Sequence, residues 1–152
     1  MSLKVYNSLS RTKEDFVPLK PGHVSIYVCG PTVYNLLHVG NFRGPVFLDL
    51  VRNWLEHSGF KVKYVLNFTD VDDKIIDKAN TEKVEANVIS ERYILEYKKD
   101  FASLGLRPHD KNPKVSEHMD DITKMIETLV QKEKAYAVDG DVNFSIESFS
   151  EY

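Results

Sequence analysis

The spacing of apolar residues predicts a strand, a helix and a second strand in the first half of the chain. Residues 23–29 are rich in β-branched and aromatic side chains, which favours a buried strand. From residue 41 to residue 58 apolar positions recur at helical spacing, with Pro45 in the first turn and Gly59 at the stop. Alternation over residues 61–67 predicts the second strand. Such a unit is expected to have parallel strands and a right-handed crossover.

This arrangement brings two loops to one edge of the predicted sheet. Residues 30–40 follow the first strand and residues 68–73 follow the second. Because ligands of open α/β sheets bind beyond the carboxyl ends of the strands, we expect both loops to face the same crevice.

The second half of the chain is predicted to be mainly helical. A helix begins near Asp72, and a second, amphipathic helix ends before Gly105. We expect Ser116 to cap a third helix and Asp139-Gly140 to form a hairpin turn between residues 135–138 and 142–146. The second helix is marked by Ile94, Tyr97, Phe101 and Leu104, and the buried side of the third by Met119, Ile122, Met125, Ile126, Leu129 and Val130. The last residues match no recognisable end of an element, so we expect a truncated chain.

Composition narrows the class of protein. A chain of 152 residues with 42% apolar and 28% charged residues is ordinary for a globular domain. No membrane span or signal peptide is evident, and a single cysteine excludes an internal disulfide, so we expect a cytoplasmic protein. With a net charge of −3 the chain has no general attraction for RNA, whose phosphates would have to be bound elsewhere.

The first loop contains residues suited to phosphate binding. The motif HVGN at residues 38–41 lies where a strand gives way to a helix N-terminus, whose free N–H groups and dipole attract anions. His38 and Asn41 could donate hydrogen bonds to a phosphate in the transition state, and Gly40 would let a flat adenine approach the backbone. The alternative is a loop histidine with one hydrogen bond and an asparagine that caps a helix. The strand–loop–helix context favours the nucleotide site.

Cys29 opens the same loop and has two interpretations. A cysteine at the end of a strand is most often a small core residue. The Cys-Gly-Pro-Thr turn beside a phosphate site favours a metal ligand instead, since zinc prefers thiolate. Zinc needs four ligands, however, and neither a second cysteine nor a suitably spaced histidine is present. We therefore predict an incomplete metal site.

The second loop, NFTDVDDK at residues 67–74, is either a Mg²⁺-binding acidic loop or a helix N-terminus, where Asp and Thr are also favoured. We expect a ligand role for Thr69 or Asp70, whereas Asp73 is expected to serve the helix.

Three motifs in order resemble the bacterial cysteinyl-tRNA synthetase family. They are CGPTVY at residues 29–34, HVGN at 38–41 and NFTDVDDKII at 67–76, and the similarity extends over nearly the whole chain. The resemblance implies an α/β fold, with residues 1–83 forming the first part of a Rossmann-like catalytic domain. Residues 84–152 would begin a helical connective insertion.

The resemblance also implies an activity and its residues. The carboxylate of cysteine would attack the α-phosphate of ATP, and the cysteinyl group would then pass to the terminal ribose of tRNA-Cys. The implied catalytic residues are His38 and Asn41; the ATP-binding residues are Gly30, Thr32, His38, Gly40 and Asn41; the cysteine-binding residues are Cys29, Thr69 and Asp70.

The resemblance further implies one Zn²⁺ bound through Cys29, and Mg²⁺ accompanying ATP. Zinc on the substrate thiolate would separate cysteine from serine, which a hydrophobic pocket alone does poorly. The other zinc ligands and most tRNA contacts would lie beyond residue 152. We therefore expect a monomeric N-terminal fragment that is inactive by itself and does not associate with membranes.

Three other functions remain open from the sequence. A cysteine ligase of mycothiol biosynthesis shares the zinc and nucleotide motifs but joins cysteine to an amino sugar. A compact nucleotidylyltransferase would have a complete site in a chain of this length and would not need Cys29. A non-catalytic nucleotide-binding module would keep its role after His38→Ala.

Overall fold

The computed structural model describes residues 3–151, which form ten regular elements joined by turns and three short 3₁₀ segments. In chain order the elements are β1 (Lys4–Asn7), β2 (Thr12–Asp15), β3 (His23–Val28), α1 (Arg43–His57), β4 (Lys61–Leu66), α2 (Asp73–Glu82), α3 (Ala86–Ser103), α4 (Met119–Gln131), β5 (Ala135–Val138) and β6 (Asp141–Phe144). The chain divides into two units, Met1–Pro113 and Lys114–Tyr152. Of the two segments predicted from the sequence, residues 1–83 and 84–152, positions 1, 2 and 152 lie outside the described residues.

The predicted strand–helix–strand unit is confirmed in its order and in the parallel direction of its strands. β3 pairs with β4 in a register that runs from His23 opposite Lys61 to Val28 opposite Leu66. α1 connects them and stops at Gly59, whose φ of +90° suits glycine. The 3₁₀ segment Val39–Phe42 leads directly into α1, so the polar loop ends at a helix entrance as expected.

A further segment follows the second edge of β4. The N–H of Asp110 donates to the carbonyl of Tyr64 at 2.8 Å, and the N–H of Leu66 donates to the carbonyl of Lys111 at 3.1 Å. The N–H of Phe68 continues this pattern, donating to Pro113 at 2.9 Å. Both edges of β4 are therefore hydrogen-bonded, which holds its carboxyl end in place.

Two arginines attach this edge segment to α1. Arg52 donates to the carbonyl of Pro108 at 2.9 Å, and Arg107 donates to the Glu56 carboxylate at 2.8 Å. The hydrogen bond from Arg107 is the main reason that the pKa of Glu56 lies below its usual value. Arg52 contacts the other oxygen of Glu56 at 3.2 Å, so one carboxylate joins both guanidinium groups.

The core is built mainly from aromatic and branched side chains of β4, the following loop, α2 and α3. Tyr97 of α3 lies at its centre, with its ring stacked on Phe42 at 5.7 Å and on Phe101 at 5.5 Å between centroids. Phe68 meets the same ring edge-on at 5.2 Å. The buried cluster consists of Val33, Phe42, Leu66, Phe68, Ile75, Ala79, Ile89, Ile94, Tyr97 and Phe101.

The predicted boundary between residues 83 and 84 falls in the turn between α2 and α3. Ile75 and Ile89 lie on opposite sides of this turn and belong to the same buried cluster. The first unit therefore runs through this position and ends at Pro113. The start of a connective insertion at residue 84 stays a prediction about the family's architecture.

In the second unit the predicted hairpin is confirmed, with β5 and β6 antiparallel around Asp139-Gly140. The predicted cap at Ser116 is wrong: this residue lies inside a 3₁₀ segment, Val115–His118, and α4 begins at Met119. The first turn of this 3₁₀ segment is closed by the N–H of Lys114, which donates to the Glu117 carboxylate at 3.3 Å.

The predicted buried side of α4 is not buried within this unit. A two-stranded hairpin of short strands offers this helix little surface to pack against. Five of its apolar side chains are at least 37% exposed, namely Met119, Ile122, Met125, Ile126 and Val130.

The antiparallel hairpin formed by β1 and β2 was not predicted, since its short, mostly polar strands show no clear alternation.

Among the described residues, no helix is both long enough and apolar enough to cross a membrane.

Candidate functional site

The loop after β3 is attached to the loop after β4 through Gly30. The N–H of Gly30 donates to Oδ1 of Asn67 at 2.8 Å. A Cβ atom at Gly30 would lie 1.6 Å from the carbonyl oxygen of Asn67, a distance that no side chain can occupy. Glycine at position 30 thus allows the two backbones to approach closely beside Cys29.

Pairing between the loops continues beyond the strands. The N–H of Thr69 donates to the carbonyl of Pro31, and the N–H of Val33 donates to the carbonyl of Thr69, both at 3.1 Å. Thr32 and Thr69 form an isolated parallel bridge. The two polar loops therefore lie side by side at the carboxyl ends of β3 and β4, as the parallel topology predicts.

His38 and Asn41 form a reciprocal cap on the 3₁₀ segment before α1. Nδ1 of His38 accepts a hydrogen bond from the N–H of Gly40 at 3.1 Å. Oδ1 of Asn41 accepts one from the N–H of His38 at 2.9 Å. Both side chains are exposed. Because the cap engages only one atom of each side chain, it does not exclude phosphate binding by the same two residues.

This cap determines which groups remain available for a ligand. Because Nδ1 of His38 is the acceptor, the proton of the neutral ring resides on Nε2, which becomes a donor. Asn41 uses its carbonyl oxygen in the cap, so the cap does not engage its Nδ2 hydrogens. The turn thus presents donors, which is the chemistry that phosphate oxygens require.

A cavity of about 170 Å³ opens next to this turn. Cys29 and Asn41 both border it, and the thiol is exposed rather than packed in the core. The lining consists of Cys29, Gly30, Pro31, Leu37, Asn41, Pro45, Leu66 and Tyr97. His38, Gly40, Thr32, Thr69 and Asp70 are near these residues in the two loops but do not belong to the described lining.

The second loop forms the N-terminus of α2. Asp72, in extended backbone, caps this helix by accepting the N–H of Lys74 at 2.9 Å. Asp73 is the first helical residue, where a negative charge favours the helix dipole, as expected. Thr69 and Asp70 are partly buried and precede the cap. The helix-capping interpretation is thus satisfied by Asp72 and Asp73, which leaves Thr69 and Asp70 as the candidates for substrate binding.

A zinc ion does not fit the described residues by themselves. No group of three or more His, Cys, Asp or Glu side chains in residues 3–151 is arranged to hold a metal. Cys29 supplies one exposed thiol at the cavity, whereas a structural or catalytic zinc takes three or four protein ligands. Within residues 3–151 the zinc site is therefore incomplete.

Three larger grooves are found elsewhere among the described residues of the first unit. One, of about 510 Å³, is at the amino ends of β3 and β4, another, of about 670 Å³, is between β1 and α1, and the third, of about 630 Å³, lies along β1 and β2. Their linings include none of the residues of the two polar loops. We place the candidate site at the smaller cavity because Asn41 and the thiol of Cys29 both border it, next to the turn that contains His38.

Sequence reasoning assigned no site role to two residues. Asn67 lies in a recognised motif, and its side chain supports Gly30. Tyr97 was recognised only as an apolar position of an amphipathic helix, yet it borders the cavity beside Cys29. Helical periodicity identifies the buried face of α3 but does not reveal which cavity that face reaches.

Comparison of the sequence with known families identifies the class of protein to which this chain belongs. The family model for the class I (C) tRNA synthetase catalytic domain matches residues 15–152, so the chain belongs to this family. The curated relatives that match this chain are named as cysteine–tRNA ligases. The one from Bdellovibrio bacteriovorus is 67% identical over 150 residues, which are 99% of this chain and 31% of that protein.

Two further cysteine–tRNA ligases match the chain over all of its length. The protein from Geobacter sulfurreducens is 54% identical over 152 residues, which are 32% of that protein, and the protein from Bacillus pumilus is 51% identical over 152 residues, which are 33%. The chain thus spans about a third of the length of the curated relatives it matches.

Proposed function

We propose that the protein containing this chain is a cysteine–tRNA ligase. It forms cysteinyl-adenylate and pyrophosphate from cysteine and ATP, and then transfers the cysteinyl group to the terminal ribose of tRNA-Cys. The observation that supports this proposal most directly is the position of Cys29, exposed at the cavity that Asn41 also borders. A sulfur ligand and a phosphate donor at one small cavity match the two substrates of the first step.

ATP binds along the first loop and the turn before α1. His38, through Nε2, and Asn41, through Nδ2, donate hydrogen bonds to the α-phosphate as negative charge develops on it during attack by the cysteine carboxylate. Their mutual cap holds both groups in position before the substrate arrives. Gly40 lies under adenine, while Gly30 and Thr32 contact the nucleotide from the start of the loop. Mg²⁺ accompanies the phosphates.

Cysteine binds at the other end of the cavity. Thr69 and Asp70 contact the amino acid from the second loop, which pairs with the first loop through Pro31 and Val33. Cys29 contributes one ligand to a Zn²⁺ ion whose other ligands come from outside this chain. When bound, this ion supplies recognition of sulfur, which shape alone provides only weakly against serine.

The remaining assignments follow from family membership. The parallel pair of β3 and β4 belongs to a Rossmann-like catalytic domain, and residues 84–152 belong to its connective insertion. tRNA-Cys is bound mainly by parts of the protein outside this chain, which has a net charge of −3. We place the protein in the cytoplasm as a monomer.

The test is cysteine-dependent exchange of pyrophosphate into ATP by the full-length protein. We expect exchange in the wild type and its collapse in Cys29→Ser and in His38→Ala. The zinc content, measured by elemental analysis, should fall in Cys29→Ser and not in His38→Ala.

His23→Ala is the matched control for His38→Ala. His23 is also an exposed histidine, but it lies at the amino end of β3, the end opposite to Cys29. Exchange should be unchanged in this variant. Wild-type rates in both site variants would remove the site assignment, and exchange that does not depend on cysteine would remove the proposed substrate.

A further inference from the structure

Tyr97 borders both the candidate cavity and a second cavity. The second cavity is also about 170 Å³ and lies between α3 and the segment that follows it. Tyr97 is the one residue that borders both cavities among those described. The second cavity is lined by Tyr97, Lys98, Phe101, Ala102, Leu106, Pro108, His109 and Asn112.

The ring of Tyr97 is held firmly by three neighbouring aromatic rings. Tyr97 is only 3% exposed, and its ring is stacked between Phe42 and Phe101 while Phe68 meets it edge-on. Aromatic rings packed in this way keep a single side-chain conformation, because alternatives would collide with close-packed neighbours. The ring is thus a fixed wall of the cavity that contains Cys29.

The hydroxyl group of Tyr97 distinguishes this residue from an ordinary core phenylalanine. Its oxygen is buried and has no hydrogen-bond partner among the residues that the structure describes. Burial raises the pKa of this phenol, so the wall remains uncharged at physiological pH. An unpaired buried hydroxyl costs free energy, which a water molecule or a bound ligand in an adjacent cavity can recover.

The size of the cavity indicates the size of its occupant. Pockets for drug-sized ligands measure roughly 300–1,000 Å³, so a cavity of about 170 Å³ suits a much smaller molecule. Because Tyr97 borders both cavities, truncation of its ring would enlarge the space beside Cys29 on the side of α3. The ring therefore limits how far an amino-acid side chain can extend from Cys29 toward α3.

We propose that Tyr97 is a specificity-determining residue that restricts the amino-acid substrate to a side chain of the length of cysteine. This inference rests on the proposed function, which makes the cavity beside Cys29 an amino-acid site. Sulfur recognition cannot distinguish cysteine from homocysteine, since both present a thiol and differ by one methylene. A rigid apolar wall can, and one methylene typically changes activation by about 10-fold to 200-fold.

The experiment compares cysteine and homocysteine in pyrophosphate exchange by the full-length protein. In Tyr97→Leu, which removes the outer half of the ring, the ratio of kcat/KM for cysteine over homocysteine should fall by about tenfold or more. Tyr97→Phe keeps the wall and removes only the hydroxyl, so its ratio should stay within about twofold of the wild type.

Phe101→Leu is the control for general softening of the core. Phe101 is 4% exposed, stacks on Tyr97 and borders only the second cavity. This variant should lose a similar amount of thermal stability and keep the wild-type ratio. The proposal is overturned if Tyr97→Leu keeps the ratio, if Phe101→Leu lowers it equally, or if Tyr97→Phe lowers it equally and so assigns discrimination to the hydroxyl.

A binding measurement separates this proposal from the proposed function. The rise in melting temperature of the full-length protein is recorded with cysteine, homocysteine, serine and homoserine. A wall at Tyr97 predicts that the wild type prefers cysteine to homocysteine and serine to homoserine, and that Tyr97→Leu reduces this preference for the shorter side chain. If serine and cysteine stabilise equally, the proposed cysteine specificity fails while the length preference still tests Tyr97. If no pair shows a length preference, the role of Tyr97 fails.

Discussion

Gly30 and Asn67 join the two loops of the candidate site through a side-chain hydrogen bond between residues that are 37 positions apart. The N–H of Gly30 donates to Oδ1 of Asn67 at 2.8 Å, and the backbone of Asn67 lies where a side chain at position 30 would have to be. This contact fixes the distance between Cys29 and the loop that contains Thr69. The first two predictions concern its two partners.

Gly30→Ala should destabilise the protein strongly. The new Cβ would lie 1.6 Å from the carbonyl oxygen of Asn67 and 2.8 Å from Cδ2 of Leu66, so the loops must separate. We expect a loss of about 3 kcal/mol or more, because the obstacle is backbone. Thermal unfolding of the full-length protein measures it.

Gly44→Ala is the matched control for this substitution. Gly44 lies in the first turn of α1, and an added Cβ would meet no atom within 4 Å. Alanine is the better helix former by up to about 1 kcal/mol, so stability should be kept or raised. Equal melting temperatures for Gly30→Ala and Gly44→Ala would contradict the close approach.

Asn67→Ala should weaken the same contact from the other side. It leaves the N–H of Gly30 without its acceptor, at a cost of about 1–3 kcal/mol. Asn67→Asp keeps an acceptor oxygen and should restore most of the stability. The two variants are compared by urea-induced unfolding, and a stability of Asn67→Asp as low as that of Asn67→Ala would show that the hydrogen bond is not what matters.

His38→Asn should separate the cap from catalysis. An asparagine oxygen can replace Nδ1 as the acceptor for the N–H of Gly40, but the asparagine amide nitrogen then lies near the position of the ring's Cδ2 and does not reach the position of Nε2. We therefore expect wild-type thermal stability and a fall in kcat of pyrophosphate exchange by about 10²-fold to 10³-fold. His38→Ala should lose the same activity and also about 1 kcal/mol of stability. An active His38→Asn variant would reduce the role of His38 to capping.

Protonation of His109 should destabilise the fold at mildly acidic pH. Burial, and secondarily the charge of Arg52, lowers the pKa of His109, while Asp110 and Asp49 oppose this shift. Below pH about 6.5 the unfolded chain binds a proton that the folded protein resists, so stability is complete above this pH and falls as the pH decreases toward the folded pKa.

His109→Phe tests this pH dependence. Its neighbours Tyr64 and Phe101 are aromatic, so phenylalanine suits the site, and it cannot take up a proton. Between about pH 7.5 and about pH 5.5 the wild type should lose more free energy of unfolding than the variant. The lowered pKa of Glu56 affects stability only at more acidic pH, below the ordinary value of 4.5 for a glutamate side chain. If the free energies of unfolding of the wild type and the variant changed equally with pH, the prediction would be contradicted.

Much of the candidate site follows from local sequence. The cap between His38 and Asn41 and the cap of Asp72 on Lys74 join residues two or three positions apart, so residue type and spacing suffice to predict them. The alternation and helical spacing of residues 23–67 likewise predict β3, α1 and β4. These patterns identified the residues to which we assign the phosphate and sulfur chemistry.

Local patterns failed where packing between distant elements decides the outcome. The apolar residues of α4 show clear helical spacing, yet they remain exposed because periodicity says which residues share a face and not what covers it. The hairpin of β1 and β2 depends on cross-strand pairing, such as Lys4 with Asp15, rather than on a hydrophobic pattern.

By itself the sequence determined the order of β3, α1 and β4, the parallel direction of the two strands and the reactive groups of the two loops, because these depend on residues close together along the chain. Only the tertiary structure decided that Tyr97 borders the cavity beside Cys29 and that Asn67 supports Gly30. Both contacts arise when close-packed elements bring distant residues together, and the geometry of that packing is a property of the whole core rather than of any one segment.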